Sequence, residues 1–108
     1  MKALIVLSLF VSGLAFAETK ELPPLKVIAL YQISDESKAA FDFFTAEAAH
    51  SCGGKVSNRF RSYSRHDAVA ERKFQLVLSA LNNNFLINTQ SLGCEGNALK
   101  VGRIGVRR

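Results

Sequence analysis

The stretch SRHDAVAERKFQLVLSALNNN, residues 64–84, decides the fold because it holds the clearest periodic pattern in the chain. Its apolar residues recur at spacings of three and four, the period of an amphipathic α-helix with one buried face. The predicted apolar stripe consists of Ala70, Phe74, Val77, Leu78 and Leu81. Ser64 is the predicted N-cap, with Asp67 three residues on, and the asparagines at 82–84 are predicted to end the helix.

Short apolar or alternating segments lie on both sides of this helix and are predicted as β-strands. They span residues 25–33, 55–63, 85–92 and 99–106. In the segment 55–63, Val56 and Phe60 are predicted on one face and Arg59, Arg61 and Tyr63 on the other. In the segment 99–106 the apolar positions change parity across Gly102, which predicts a β-bulge or a sharp bend there.

Residues 39–50 admit two interpretations. Phe41 and Phe43 alternate with their neighbours as in a strand, whereas the Ala and Glu content also suits a helix. A strand gives the order β-β-β-α-β-β, which is that of a five-stranded OB-like barrel, mainly β with one helix. A helix over 35–50 would give an α+β ferredoxin-like sandwich instead.

The N-terminus has the features of a cleavable signal peptide. Lys2 precedes an apolar run over residues 3–11, and Ala15-Phe16-Ala17 forms an A-x-A cleavage site. The run is too short to span a bilayer comfortably, so no membrane span is expected after cleavage. We predict a periplasmic or secreted location and three segments: a signal peptide (1–17), a loose leader (18–24) and a single domain (25–108).

The two cysteines, Cys52 and Cys94, both fall in the predicted exported domain. Export places them in an oxidising compartment, so they are predicted to form one disulfide that staples the domain. They lack the C-x-x-C spacing of a redox-active pair. His50 and the cysteines would fall short of a usual metal site unless His66 joined them, so neither a metal nor another cofactor is predicted.

Charge is distributed unevenly along the chain. Residues 18–54 hold three lysines against six acids, a net of −3, whereas residues 55–108 hold ten Lys or Arg against three acids, a net of +7. The basic half suggests an anionic partner, with a solvated basic face as the alternative. Export argues against nucleic acid as that partner.

Within the basic half, Arg59, Arg61 and Tyr63 project from one face of a predicted strand, and Arg65 follows just beyond it. Guanidinium groups suit carboxylates, phosphates and sulfates, and an aromatic ring between them can stack on a sugar. These four residues are the predicted ligand-binding residues.

No catalytic residue is predicted, and the protein is predicted not to be an enzyme. The acids at 36, 42 and 47 are assigned to solvent-facing positions, and Asp67 and Glu71 to the helix start, where they complement the helix dipole. The glycines at 53–54, 93 and 96 are explained by turns beside the cysteines, so no glycine-rich phosphate loop is present.

The segments KFQLVLSAL (73–81), FLI (85–87) and GCEGN (93–97) together resemble the helix–strand–Cys–turn–strand ending of small exported OB-fold proteins. The better-known relatives are the binding subunits of AB5 toxins of the subtilase-cytotoxin and pertussis-like type. Cys52 precedes the third strand, where such proteins often place the partner cysteine. This resemblance favours a strand at 39–50. The chain departs from the toxin subunits in having one disulfide, no Trp and no recognisable sugar-pocket motif.

The resemblance implies a non-enzymatic binding module for an acidic glycan or another anionic surface ligand. A toxin-type binding subunit would self-associate into a homo-oligomeric ring. The alternative is a periplasmic inhibitor or immunity-type protein, which would be a monomer that binds one protein partner.

Overall fold

Six strands pair into a ring-like sheet in the computed structural model, which describes residues 20–33 and 39–108. The predicted signal peptide, residues 1–17, lies outside the described residues. A short 3₁₀ turn, Cys52–Gly54, lies between the third and fourth strands. The strands and helix are β1 (Lys20–Glu21), β2 (Leu25–Ile33), β3 (Ala39–Thr45), β4 (Arg59–Ser64), α1 (Asp67–Asn83), β5 (Leu86–Glu95) and β6 (Ala98–Arg107).

The five long strands follow one another around the ring in the order β5-β2-β3-β4-β6, and β6 pairs again with β5. All of these pairings are antiparallel except that of β4 with β6, which is parallel. Helix α1 connects β4 to β5 and contacts all five long strands. The predicted class, mainly β with one helix in the order β-β-β-α-β-β, is therefore confirmed, and the structure adds the short strand β1.

The ambiguous segment at 39–50 is a strand over Ala39–Thr45, so the helical alternative and the ferredoxin-like sandwich are wrong. Burial explains this outcome. Phe43 is fully buried and its ring stacks on that of Phe60, with 5.2 Å between the centroids. Phe43 lies opposite Phe60 in the register of β3 and β4, a placement that a helix would not provide.

Helix α1 packs Phe74, Val77 and Leu81 of the predicted stripe against the core, and it also buries Ala80, which the stripe did not include. Its start differs from the prediction. His66 occupies the N-cap position, whereas Ser64 ends β4 and its hydroxyl contacts the backbone of His66. At the other end, Asn84 adopts the left-handed conformation (φ 57°), as the asparagine run predicted.

Two strands change the face they bury, and each does so at a register shift. In β6 two residues, Gly102 and Arg103, stand opposite the single residue Gln90 of β5, which is the bulge predicted from the parity change. In β2 the shift occurs at Ile28. This strand therefore faces the core with one set of alternate residues before Ile28 and with the other set after it.

The leader is not entirely loose. Lys20–Glu21 forms β1, in which Lys20 lies opposite Ser91 and Glu21 opposite Gln90. Leu22 packs against the core, and its backbone N–H donates to the carbonyl oxygen of Thr89 (3.0 Å). This segment has no alternating pattern of its own, and pairing with β5 gives it its structure.

Candidate functional site

The four predicted binding residues lie on or next to β4. Phe60 and Ser62 of this strand are buried, so Arg59, Arg61 and Tyr63 are on its outer face. Arg65 is exposed in the short link between β4 and α1, beyond the end of the strand. Val56, which was predicted in this strand on the same face as Phe60, precedes β4 and is exposed, so that part of the prediction is wrong.

Asp42 of β3 joins two of these residues. It lies directly opposite Arg61, and its side chain is only 5% exposed. Arg61 donates from Nε to Oδ1 (2.7 Å) and from Nη2 to Oδ2 (3.0 Å), a two-point contact. Arg59 donates from Nε to Oδ2 (2.8 Å). The assignment of Asp42 to a solvent-facing position is therefore wrong, because this carboxylate is the buried centre of a charged cluster.

The cluster keeps Asp42 ionised. Burial is the largest single influence and raises the pKa of Asp42, but the hydrogen bonds and charges of Arg61 and Arg59 outweigh it and hold the pKa below its ordinary value. The same contact with Asp42 raises the pKa of Arg61 further above its already high value. The hydrogen bonds to Asp42 thus fix both guanidinium groups in place.

A second carboxylate, Glu95, approaches Arg61 from the end of β5. Arg61 Nη1 donates to Glu95 Oε1 (2.8 Å), and the Tyr63 hydroxyl donates to the same oxygen. The hydrogen bonds from Tyr63 and then Arg61 lower the pKa of Glu95, and the bond to Glu95 raises the pKa of Tyr63. We refer to Asp42, Arg59, Arg61, Tyr63 and Glu95 as the charged cluster.

The disulfide holds one edge of this cluster. Cys52 and Cys94 are bonded, as predicted, so the bridge places Glu95 next to an anchored residue. The turn after Glu95 is tied down further, because Asn97 Oδ1 accepts a hydrogen bond from Arg59 Nη1 (3.1 Å). The turn between β5 and β6 is therefore fixed against the start of β4.

His50 supports the same region and is not available as a metal ligand. Its Nε2 donates to the carbonyl oxygen of Arg59 (2.6 Å), and its Nδ1 accepts from the backbone N–H of Cys52 (3.2 Å). Both ring nitrogens are thus occupied, and the two cysteines are in the disulfide. Among residues 20–33 and 39–108, no group of three or more His, Cys, Asp or Glu could hold a metal ion.

An apolar groove of about 580 Å³ runs along the charged cluster on the outer face of β2, β3 and β4. Tyr31 is 60% exposed, and its ring meets the edge of Phe44 at a centroid distance of 5.8 Å. Ile28, at the β2 bulge, is also exposed. Asp42 and Arg59 form the polar wall of the groove. We refer to this surface, with the charged cluster, as the outer face.

Sequence reasoning did not select Tyr31, Phe44 or Glu95 for this site. Tyr31 reads as an ordinary strand residue because its outward direction depends on the bulge at Ile28, and Phe44 because simple alternation places it on the same face of β3 as Asp42. Glu95 stands 34 residues from Arg61, and only the β5–β6 hairpin brings it there.

Comparison of the chain with protein-family models, with curated proteins and with solved structures gave no match. In the part of the chain that the structure describes, no helix is long and apolar enough to cross a membrane.

Proposed function

We propose that this protein is an exported, non-enzymatic binding module and that it binds an acidic glycan on its outer face. The observation that carries the proposal is a groove lined by both the exposed ring of Tyr31 and the guanidinium of Arg59, which Asp42 holds in place. A sugar ring can stack on an aromatic side chain, and a carboxylate or sulfate can accept hydrogen bonds from a guanidinium group.

The chemistry of the cluster supports binding rather than catalysis. Asp42 is saturated by two arginines, and the hydrogen bonds to Glu95 lower its pKa, so neither carboxylate is tuned to exchange a proton near neutral pH. The side chain of Arg59 is 34% exposed and that of Arg61 is 18% exposed, so Arg59 is the more accessible of the two to a ligand. Arg65 would extend the positive charge at one end.

The strand order and the parallel pairing of β4 with β6 support an OB-type barrel, in which ligands commonly bind across this same surface. The disulfide supports an oxidising compartment and hence a periplasmic or secreted location. The likeness to AB5-toxin binding subunits would further imply self-association into a ring.

The test is a calorimetric titration with a hyaluronan hexasaccharide, which carries carboxylates, beside neutral maltohexaose. We expect binding of the acidic sugar only, weakened about ten-fold or more by Tyr31→Ala and by Arg59→Ala. Arg72→Ala, which removes an exposed arginine from α1, is the control and should leave the affinity unchanged. Equal binding by Tyr31→Ala, Arg59→Ala and the wild type would place the ligand elsewhere and overturn the proposal.

A second candidate function is an inhibitor or immunity-type protein that binds one protein partner. The observation that favours it is the pair of exposed apolar side chains, Ile28 and Tyr31, on one continuous surface. Native mass spectrometry of protein purified from a bacterial periplasm separates the two candidates. A ring-sized oligomer supports the glycan-binding subunit, whereas a monomer that binds no acidic sugar supports the inhibitor.

A further inference from the structure

Arg61 lies between two carboxylates that hold it unequally. Asp42 uses both oxygens, contacts Nε and Nη2, and is almost completely buried. Glu95 uses one oxygen, Oε1, for both of its contacts, and its side chain is 39% exposed. A buried two-point pair is hard to break because it would leave a desolvated charge, whereas an exposed pair contributes little.

Two hydrogen-bond donors therefore meet at one position, and the carboxylate that occupies this position can be replaced by another. Arg61 Nη1 and the Tyr63 hydroxyl both point at the place that Glu95 Oε1 occupies, on the same outer face as Tyr31. We propose that this position is the carboxylate-binding point of the outer face and that Glu95 is its internal occupant, which the carboxylate of an acidic sugar displaces. This inference rests on the proposed function, because it concerns the same surface and ligand class.

The register of the strands sets the distance that an oligosaccharide must span between Tyr31 and Arg61. Tyr31 and Arg61 lie on opposite sides of Asp42, each directly across from it. They are thus two strand spacings apart, about 10 Å. A short oligosaccharide can stack one ring on Tyr31 and place a carboxylate of a neighbouring ring at Arg61. Lys100 of β6, opposite Arg61 on its other side, adds a further positive charge.

Displacement of Glu95 leaves the fold intact. The disulfide at Cys94 and the bond between Asn97 and Arg59 hold the hairpin without the carboxylate of Glu95. The released side chain, already partly exposed, becomes hydrated, while Arg61 keeps Asp42 and gains the carboxylate of the ligand. Replacing the Glu95 carboxylate with that of the ligand leaves the number of ion pairs unchanged. Glu95 therefore competes with the ligand for Arg61 and lowers the affinity of the protein for acidic ligands.

The experiment compares Glu95→Gln with the wild type in calorimetric titrations with the hyaluronan hexasaccharide. Glu95→Gln keeps an amide in place of the carboxylate but removes the competing charge, so we expect about five-fold tighter binding. The control is Glu21→Gln, because Glu21 is also a carboxylate paired with an arginine, Arg103, and is exposed. It removes the same charge away from the cluster and should change the affinity by less than about two-fold.

A second readout detects displacement directly. In ¹³C NMR spectra of the wild type, saturation with the hexasaccharide should move the Glu95 carboxyl signal toward that of a solvent-exposed glutamate and leave the Asp42 signal unchanged. If both proteins bind equally and the Glu95 signal stays in place, the inference is wrong and the proposed function stands. If neither protein binds, both fail. If a hexaglutamate peptide alone binds and displaces Glu95, the saccharide assignment is wrong.

Discussion

Asp42 and Arg61 face each other across β3 and β4 and are joined by two hydrogen bonds, of 2.7 and 3.0 Å, with the carboxylate buried. Arg59 binds the same carboxylate from the neighbouring position. One buried anion thus organises two arginines that their sequence positions alone would leave as mobile surface side chains. The outer face owes its fixed positive groups to this residue.

Replacing Asp42 with Asn should destabilise the protein by about 3 kcal/mol, because two partly buried guanidinium groups would lose their counter-charge. Urea unfolding monitored by circular dichroism measures this change. Glu21→Gln, which breaks an exposed pair, should change the free energy of unfolding by less than about 1 kcal/mol. If the two substitutions changed the free energy of unfolding equally, burial of Asp42 would not strengthen the contribution of its ion pairs to stability.

Acid should weaken the fold through the same groups. The pKa values of Asp42 and Glu95 are lowered in the folded state, so the folded protein binds their protons less readily than the unfolded chain. Their contribution is complete above the pKa values of the unfolded chain and is lost as the pH falls through the lower pKa values of the folded state. The free energy of unfolding, measured in urea at intervals across this range, should decrease with falling pH, and less steeply in Asp42→Asn.

Removal of the disulfide by the double substitution Cys52→Ala and Cys94→Ala should cost about 4 kcal/mol, since the bridge closes a loop with a sequence separation of 42. Differential scanning calorimetry would show this as a lower melting temperature. Reduction of the wild type with dithiothreitol should give a similar loss. A melting temperature unchanged in both cases would mean that the hairpin is held by its hydrogen bonds alone.

The parts of the fold that could be predicted are those whose signal is local. The α1 stripe repeats within a few residues, and the bulge at Gly102 shows as a change of parity beside a glycine. The class and strand order followed from these elements and from the resemblance. The bulge at Ile28 gave no such signal, because no glycine marks it and the apolar residues after it lie on both faces of β2.

Only half of the candidate site could be predicted from the sequence, for a related reason. The face of β4 that carries Arg59 and Arg61 follows from simple alternation, but their partners do not. Asp42 stands 17 and 19 residues away, and its burial depends on the packing of three strands rather than on its own neighbours. Alternation with the core residues Phe41 and Phe43 places Asp42 on the outward face, so no local sign predicted its burial.

The bulge in β6 brings Gly102 against the side chain of Gln90. A Cβ atom at Gly102 would lie 2.8 Å from Gln90 Oε1, which accepts a hydrogen bond from the Arg103 N–H (3.3 Å). Gly102→Ala should therefore displace this side chain and cost about 1 kcal/mol in urea unfolding.

Gly105 of the same strand provides a matched control, because no atom lies within 4 Å of a Cβ built there. Gly105→Ala should change stability by less than about 0.5 kcal/mol. In a Gln90→Ala background, Gly102→Ala should cost less than it does alone. An equal cost in both backgrounds would mean that the contact with Gln90 is not the cause.

The ring of strands is closed between β2 and β5 by its shortest pairing, Leu25 with Ile87 and Lys26 with Leu86. Separating β2 from β5 leaves the β2–β3–β4 meander and the β5–β6 hairpin each intact, and it breaks fewer residue pairings than separating any other two neighbouring long strands. Amide groups that donate across this junction should exchange with deuterated solvent through local opening, at lower free energy than those between β3 and β4. The ring of strands thus has a built-in order of opening, in which it parts at one junction before its core is exposed.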